Sequence, residues 1–343
     1  KDRIIVHSDI NHCYAQIEEM KYPELRDVPM AVGGNEEERH GIILAKNDKA
    51  KAFHIKTGES LREALAKCPQ LRILKPDYEE YMYYTEKVKD IYREYTDKVE
   101  SFGLDEAWID VSESTALFGN GMSIARSIQN RVAHELGMTV SMGVSYNKIF
   151  AKIGSDMDKH RGLVEITREN YRDRIWPLPV EDLFYVGRAT KHKLAHYSIE
   201  TIGQLAQLPQ GWMKDRFGKV GELIWWFANG EDVSEVALTS HQEPVKSVGN
   251  AITAPKDIKS FEDAKIVYYV LVESVASRLR DQGLRGSVIS VTLRSTELIW
   301  FSRQRKLAQA TNIAAEIMPV VLSLLKENYD FSTPLRTIGV TLS

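Results

Sequence analysis

The stretch Glu100-Ser-Phe-Gly-Leu-Asp-Glu-Ala-Trp-Ile-Asp-Val111 places two adjacent carboxylates, Asp105 and Glu106, inside an apolar run that is typical of a β-strand. Adjacent acids repel each other and resist burial, so this position needs a compensating charge. About ninety residues upstream, Arg3-Ile-Ile-Val-His-Ser-Asp9 is a second predicted strand, and it also ends in a carboxylate. Carboxylates grouped in this way can hold two metal ions about 3.5–4 Å apart and promote phosphoryl transfer. The alternative, taken from the hairpin alone, is a solvated acidic turn.

Composition restricts the class of protein. The chain has 343 residues, enough for two or more domains, and it is 43% hydrophobic and 27% charged, as in soluble globular proteins. No apolar run approaches the ~18–20 residues of a membrane span, and no signal peptide is visible. Cys13 and Cys68 are too isolated for a disulfide framework or a zinc site, which favours the reducing cytoplasm. The net charge of -3 excludes a surface coated in basic residues but leaves local nucleic-acid contacts open.

The first half of the chain predicts one antiparallel sheet with an insertion. The order β-α-(insert)-α-β-β-α-β indicates a ferredoxin-like layer with helices on one face, and the insert, about residues 20–75, is expected to form a small separate lobe. The elements behind this prediction are strands at 3–9, 98–104, 107–112 and 139–145, and helices at 11–20, 78–96, 124–136 and 147–154.

The second half changes character twice. After Pro177 the pattern predicts short helices, and a polar stretch near 230–244 reads as a linker. The last hundred residues return to an α+β pattern. Their predicted strands lie at 246–253, 287–294, 298–306 and 335–342, with helices at 261–281 and 310–327.

Three motifs carry a resemblance that spans the chain. They are His7-Ser-Asp-Ile-Asn-His-Cys-Tyr-Ala-Gln-Ile-Glu-Glu19, then Leu104-Asp-Glu-Ala-Trp-Ile-Asp110, and then Ser145-Tyr-Asn-Lys-Ile-Phe-Ala-Lys152 with Asp156-Met-Asp-Lys159. In order and spacing they resemble the Y-family translesion DNA polymerases, and within that family the bacterial DinB (polymerase IV) and UmuC types. The resemblance implies an α+β right-hand polymerase with a ferredoxin-like palm, small fingers, a helical helix-hairpin-helix thumb and an α+β little finger. The implied bounds are 1–19 and 76–166 for the palm, 20–75 for the fingers, 167–232 for the thumb, 233–243 for the linker and 244–343 for the little finger.

The resemblance also implies the roles of the acidic residues. Asp9 and Asp105 would ligate two metal ions, Glu106 would complete the catalytic site, and the Ile10 carbonyl would add a ligand. Mg²⁺ is the expected ion because it prefers carboxylate oxygens together with substrate phosphates, and Mn²⁺ is the alternative. One ion would lower the pKa of the primer 3′-hydroxyl while the other neutralises the triphosphate.

The nucleotide-binding residues follow from the same resemblance. Tyr14 matches the bulky aromatic that excludes a 2′-hydroxyl, a steric gate. Many family members have Tyr at the position of Asp48 and Arg at the position of Lys51, so phosphate binding in the fingers rests on Lys51 as a point charge. Lys46 or Lys49 either compensates or is a solvated surface charge. The full expected set is Asn11, His12, Cys13, Tyr14, Ala45, Lys51 and Lys159.

DNA contacts are expected in two places. Leu183-Phe-Tyr-Val-Gly187 followed by Arg188 resembles the thumb hairpin, which directs backbone N–H groups at a phosphate, although Tyr185 replaces its first glycine.

From residue 244 onward there are 13 Lys+Arg against 9 Asp+Glu. A sheet face carrying these basic residues can lie along a duplex backbone without reading its sequence. Apart from Gly187 and Arg188, the expected contacts are Lys246, Arg285, Arg294, Arg303 and Arg305, of which the last two share one face of a strand.

The resemblance thus implies a template-directed DNA polymerase of low fidelity that acts in damage tolerance, and we expect it to be monomeric and cytoplasmic. Its partners would be primer–template DNA and a deoxynucleoside triphosphate, with a sliding clamp bound through a tail that is not evident in this sequence. Two rival functions remain: a non-catalytic DNA-binding accessory protein on a polymerase scaffold, and a nucleotide cyclase with a similar acidic hairpin.

Overall fold

The computed structural model describes residues 2–34, 41–241 and 244–343. The chain divides into two compact units, and each is described here by itself. The first unit comprises residues 1–32, 44–57 and 67–242, and the second comprises residues 33–43, 58–66 and 243–343. Parts of the predicted fingers and linker, residues 35–40 and 242–243, lie outside the described residues.

The chain up to residue 166 alternates strands and helices. The strands are β1 (Ile5–Ile10), β2 (Met30–Gly33), β3 (Ile43–Lys46), β4 (Arg72–Leu74), β5 (Val99–Phe102), β6 (Glu106–Asp110), β7 (Val140–Ser145) and β8 (Leu163–Ile166). The helices are α1 (Cys13–Lys21), α2 (Asp48–Lys51), α3 (Leu61–Lys67), α4 (Tyr78–Arg93), α5 (Thr115–Phe118), α6 (Gly121–Leu136) and α7 (Lys148–Met157), with a 3-10 helix at Pro23–Asp27.

A five-stranded sheet of order β5-β6-β1-β7-β8 forms the centre of the first unit. Alternate residues of β1 point to opposite faces, so Val6 and Ile10 join a core with helices α4 and α6, while Ile5 packs with Trp108 and Ala151 on the other face. The expectation that helices cover one face only is therefore wrong. Helix α7 covers the second face, since its apolar residues need burial as much as those of α4 and α6 do.

Strand β8 is absent from the predicted elements and runs parallel to β7, which makes the sheet mixed. A parallel neighbour requires a crossover, and α7 provides it. The sheet and this helix approach closely at Gly143 in β7. A Cβ atom added there would lie 2.0 Å from the carbonyl oxygen of Ala151, so only glycine fits.

A smaller sheet of order β3-β2-β4 lies in the region predicted as fingers. Residues 167–232 are mainly helical, as expected. They form α8 (Tyr171–Ile175), α9 (Arg188–Ala195), α10 (Ile202–Ala206) and α11 (Gln210–Ala228), with a 3-10 helix at Val180–Asp182. Gly218 interrupts α11 with φ of 65°, so this segment is two helices meeting at a glycine.

The C-terminal part of the second unit is an antiparallel sheet of order β11-β10-β12-β9 with two helices. Buried apolar residues of the strands and of both helices form one shared core, which includes Tyr268, Val291, Val321 and Ile338. Within the residues that the structure describes, no helix combines the length and apolar character needed to cross a bilayer. The bounds are β9 (Val248–Ile258), α12 (Phe261–Asp281), β10 (Gly286–Ser295), β11 (Trp300–Thr311), α13 (Ala314–Asn328) and β12 (Leu335–Leu342).

Candidate active site

Three carboxylates meet at one end of the central sheet. Asp9, near the end of β1, is the register partner of Glu106, the first residue of β6. The turn before β6 is tied to β1 because the Ile10 N–H donates to the carbonyl oxygen of Asp105 over 3.0 Å. Residues distant in sequence are thus brought together by ordinary antiparallel pairing.

Burial and neighbouring charges shift the pKa values of the three acids in different directions. Burial raises the pKa of Asp9, although the ammonium of Lys159 opposes that change. Burial also raises the pKa of Asp105, and the charge of Glu106 adds to the effect. Burial alone would raise the pKa of Glu106 as well, but contacts with His7 and Lys152 outweigh it and lower this pKa to about 2. The cluster therefore holds more negative charge than a buried site tolerates without cations.

One face of α7, continued beyond its C-terminus, supplies three lysines to these strands. Lys148 binds Glu100 of β5 at 2.7 Å. Lys152 forms an ion pair with Glu106, and Lys159 forms one with Asp9. Lys159 also lies 2.5 Å from Asp156, so it is shared between two carboxylates. The four-residue spacing of Lys148 and Lys152 indicates a common helix face, but the sequence reasoning gave neither lysine a role.

His7 is a second group that sequence reasoning missed. It is fully buried, and burial lowers its pKa. The Ser155 hydroxyl donates to the Lys152 carbonyl at 2.7 Å, so the His7 Nδ1–H donates to the Ser155 oxygen at 2.7 Å. Its Nε2 then lies 3.1 Å from a Glu106 carboxylate oxygen without hydrogen-bonding geometry. The imidazole thus borders the Glu106 carboxylate on one side.

The donor set fits a divalent cation by its chemistry, since carboxylate oxygens are the preferred ligands of hard cations. Across residues 2–34, 41–241 and 244–343, no three acidic, histidine or cysteine side chains converge as they stand on one metal position. Lys152 and Lys159 contact Glu106 and Asp9 instead. A bound cation would therefore replace the Lys159 ammonium on Asp9 and would share the Glu106 carboxylate with Lys152.

A pocket of about 420 Å³ adjoins the acids. Tyr14 lines it, and its ring stacks on Tyr81 with a centroid distance of 4.4 Å and an angle of 9°. The Tyr78 ring meets the Tyr14 ring edge-on at a centroid distance of 6.0 Å, so Tyr14 packs against two other rings. The lining residues are Asp9, Ile10, Asn11, His12, Cys13, Tyr14, Leu44, Ala45, Lys46, Lys51, Thr57, Asp105 and Lys159.

The pocket includes every residue expected to bind nucleotide, but two of them have their side chains directed into the fold. Asn11 is only 6% exposed, accepts a hydrogen bond from Ser141 and donates one to Thr139. Cys13 is buried in the core beneath the sheet. These two residues therefore offer the pocket their backbone rather than their side chains. His12 lies in the left-handed region with φ of 48°, and its Nε2 is 3.1 Å from Asp48.

The thumb hairpin keeps its turn despite the missing glycine. Tyr185 takes the left-handed conformation, with φ of 71°, that a glycine adopts more readily. Gly187 precedes α9 as its N-cap residue, and Arg188 is the first residue of that helix. The side chain of Tyr185 is 57% exposed.

The basic residues of the C-terminal sheet do not share one face. Arg303 and Arg305 are register partners of Val291 and Ile289, whose side chains are buried against the helices. They share a face, as expected, but it is the helix-covered face, and Arg305 binds Glu327 of α13 at 2.6 Å. The reason is that β11 is an edge strand, where long side chains on the core face reach around its border. Arg294 and Lys306 lie on the opposite face, while Arg285 and Lys246 are exposed at strand ends.

Comparisons with known proteins agree with this architecture. The impB/mucB/samB family matches residues 8–156, its C-terminal domain matches residues 245–343, and a DNA polymerase-iota thumb domain matches residues 181–232. The chain is 46% identical to DNA polymerase IV of Acetivibrio thermocellus, over 99% of this chain and 86% of that protein. It is 38% identical to DNA polymerase IV of Pelotomaculum thermopropionicum, over 99% of this chain and 84% of that protein.

A more distant relative and a solved structure complete the comparison. Identity is 36% to DNA polymerase IV 2 of Bacillus subtilis, over 100% of this chain and 84% of that protein. A Y-family DNA polymerase chimera of Dbh and Dpo4 superimposes with a TM-score of 0.88 over 99% of this chain and 98% of that chain, at 22% identity. The predicted fold class, an α+β right-hand polymerase, is confirmed. The chain belongs to the impB/mucB/samB family and is a DinB-like member of the Y-family DNA polymerases.

Proposed function

We propose that this chain adds a deoxynucleoside monophosphate to a primer 3′ end, opposite a template base, and releases pyrophosphate. Its family makes it a DNA-directed DNA polymerase of the translesion type. One observation supports the reaction best. Asp9, Asp105 and Glu106 come together beside a pocket whose lining includes Tyr14. We infer low fidelity from the small predicted fingers.

Members of this family use divalent metal ions. We propose two Mg²⁺ ions, with Mn²⁺ as a substitute, held by Asp9, Asp105, Glu106 and the Ile10 carbonyl. When bound, such ions lower the pKa of the attacking hydroxyl and neutralise charge on the phosphates. The raised pKa values of Asp9 and Asp105 support this assignment, because they indicate negative charge that nearby cations would stabilise.

The chain's own groups have distinct tasks in this proposal. Lys159 leaves Asp9 when that carboxylate takes a cation and is then available to the phosphate tail. Lys152 stays beside Glu106, where it partly neutralises the carboxylate and takes no direct part in the reaction. Tyr14, fixed by its stack on Tyr81, lies under the sugar and leaves no space for a 2′-hydroxyl. Lys51 contributes a positive charge to the lining of the pocket.

We propose the domain bounds given by the resemblance: palm 1–19 and 76–166, fingers 20–75, thumb 167–232, linker 233–243 and little finger 244–343.

The partners would be primer–template DNA and a deoxynucleoside triphosphate. The residues proposed to contact DNA phosphates are Gly187, Arg188, Lys246, Arg285 and Arg294. Arg303 and Arg305 are weaker candidates for such contacts because they lie on the helix-covered face of the sheet. We expect a monomer that acts in the cytoplasm, where the chromosome of its bacterial relatives lies, and a sliding clamp is a further proposed partner.

Primer extension tests this proposal. The purified chain is incubated with a labelled primer–template, Mg²⁺ and all four deoxynucleotides, and the products are separated by size. We expect stepwise extension that stops in EDTA. No product would indicate a DNA-binding protein without polymerase activity, and a cyclic nucleotide formed without a template would indicate a cyclase.

A further inference from the structure

A carboxylate stands beside a residue that lines the pocket and is not among the acids assigned to metal binding. Asp48 Oδ1 lies 3.1 Å from Nε2 of His12, a residue that lines the pocket. The Asp48 side chain is 57% exposed, whereas the His12 side chain is 26% exposed. The pair therefore forms part of the solvent-facing rim, with the carboxylate on its outer side.

The position of Asp48 is fixed by its neighbour. Asn47 is buried, accepts a hydrogen bond from the Ala50 N–H at 3.0 Å and thereby caps α2. Its amide group donates to Glu19 at 2.9 Å and to the Leu25 carbonyl at 3.1 Å. Asp48 directly follows this anchored residue, so its backbone cannot move away from the pocket without breaking these bonds.

The imidazole of His12 is also directed by its backbone. His12 adopts the left-handed conformation between β1 and α1, and its side chain makes no capping bond to α1. The Nε2 atom of its ring instead faces the Asp48 carboxylate. The turn that follows Asp9 thus presents an N–H donor at the mouth of a pocket whose lining also includes Lys51 and Lys159. Such a group of donors suits an anion with several phosphates.

We propose that Asp48 is an internal competitor of the triphosphate: its carboxylate occupies the His12 donor and repels the phosphate tail, which weakens nucleotide binding. This inference rests on the proposed function of the pocket. The incoming triphosphate displaces Asp48 from His12 and takes over the N–H donor. Asp48 consequently sets the nucleotide concentration at which the polymerase works, without touching the reacting atoms.

Neutralising Asp48 tests the inference. We expect Asp48→Asn to lower the KM for deoxynucleotide insertion roughly three- to tenfold, as removal of one like charge at short range predicts, and to leave kcat within about twofold. Asp48→Glu keeps the charge and should keep the wild-type KM. The Asp48→Asn effect should shrink at high ionic strength, because salt screens an exposed charge. An unchanged or raised KM in Asp48→Asn overturns the proposal.

Two controls separate this role from a structural one. An acidic residue in the first turn of a short helix also stabilises that helix, and losing it would raise KM rather than lower it. Asp215→Asn, which neutralises an exposed acid outside the pocket, should leave KM unchanged. In a His12→Ala background the carboxylate is no longer held at the rim. The benefit of Asp48→Asn should therefore be smaller there, and full additivity of the two changes would contradict displacement at His12.

Inorganic tripolyphosphate provides a readout that needs no base pairing. It should inhibit insertion more strongly in Asp48→Asn than in the wild type, by the same factor as the change in KM. A deoxynucleoside without phosphates should show no such difference, and equal inhibition of both proteins by tripolyphosphate would refute the competition. If the wild-type chain does not extend primers at all, the proposed function fails instead, so the two failures are distinguishable.

Discussion

Glu106 lies directly opposite Asp9 in the antiparallel pairing of β6 with β1, so the register of two strands fixes the relation of two catalytic candidates. Glu106 is bordered by His7 and Lys152, whereas Asp9 is contacted by Lys159. The two acids therefore sit in different electrostatic surroundings, with the pKa lowered for Glu106 and raised for Asp9. A one-residue slip of this register would place the two carboxylates on different faces of the sheet.

We expect Glu106→Ala to reduce primer extension by at least about a thousandfold, since carboxylate ligation of the metal is required for the chemistry. Affinity for primer–template, measured by fluorescence anisotropy, should stay within a few fold. Glu113→Ala serves as the matched control because Glu113 is an exposed acid, paired only with Lys98 in this part of the chain. Retained synthesis in Glu106→Ala would remove this residue from the catalytic role.

Replacing Tyr14 with alanine should raise the incorporation of ribonucleotides while DNA synthesis continues. The ring, held by its stack on Tyr81, would no longer occupy the space of a 2′-hydroxyl. The measurement is the ratio of kcat/KM for a ribonucleotide to that for its deoxynucleotide. Tyr14→Phe retains the ring and should retain the wild-type ratio, and an unchanged ratio in Tyr14→Ala would contradict the steric gate.

Divalent cations should stabilise the protein even without DNA. A cation that binds only the folded state at ten times its Kd raises the free energy of unfolding by about 1.4 kcal/mol. Differential scanning calorimetry with Mn²⁺ and with EDTA should therefore show a higher Tm with the metal. Asp105→Asn removes one proposed ligand and should reduce that difference, whereas an equal shift in this variant would place the cation elsewhere.

Lys51→Arg should lower the KM for deoxynucleotides a few fold. A guanidinium binds two phosphate oxygens at once, whereas the lysine ammonium acts as a point charge. Steady-state insertion opposite one template base gives the KM. Lys56→Arg is the control on a neighbouring exposed lysine outside the pocket lining. A KM that falls equally in both variants would indicate an effect of arginine that does not depend on the pocket.

The two faces of the C-terminal sheet should differ in DNA binding. Arg294→Ala should weaken binding and reduce the salt dependence by up to about 0.9 in the slope of log K against log salt, the value for one phosphate contact. Arg305→Ala should have the smaller effect because that side chain is bound to Glu327 and Ser323. Anisotropy titrations at several salt concentrations decide the order, and a larger loss for Arg305→Ala would reverse the assignment.

The sequence predicted the parts of the fold that carry strong periodicity. Helix α12 has the predicted bounds, and the strand that carries Asp9 and the hairpin around Asp105 and Glu106 were identified because apolar residues surround these acids. Strand β8 was missed because Leu163–Ile166 is only four residues long and is recognisable mainly by its parallel partner β7. Helix α1 begins at Cys13 rather than at residue 11, since His12 takes a left-handed conformation that no local pattern indicates.

The candidate site was predicted in its acids but not in their counter-charges. Which lysine meets which carboxylate depends on the placement of α7 across the sheet, and that placement is a tertiary property. His7 resembles any buried strand residue until Ser155 and Glu106 are seen on either side of it. The faces of Arg303 and Arg305 depend on which side α13 covers, so the sequence could show that they share a face but not which one.

The missing side chain of Gly143 has a consequence for evolution of the enzyme. A single methyl group at this position would push the Ala151 turn outward and carry Lys152 away from Glu106 along with it. Substitutions that would change the spacing of Lys152 and Glu106 are thus closed off at this contact, even though Gly143 itself is not in the lining of the pocket beside the acids. Variation in nucleotide affinity stays open at the rim, where the Asp48 side chain is exposed.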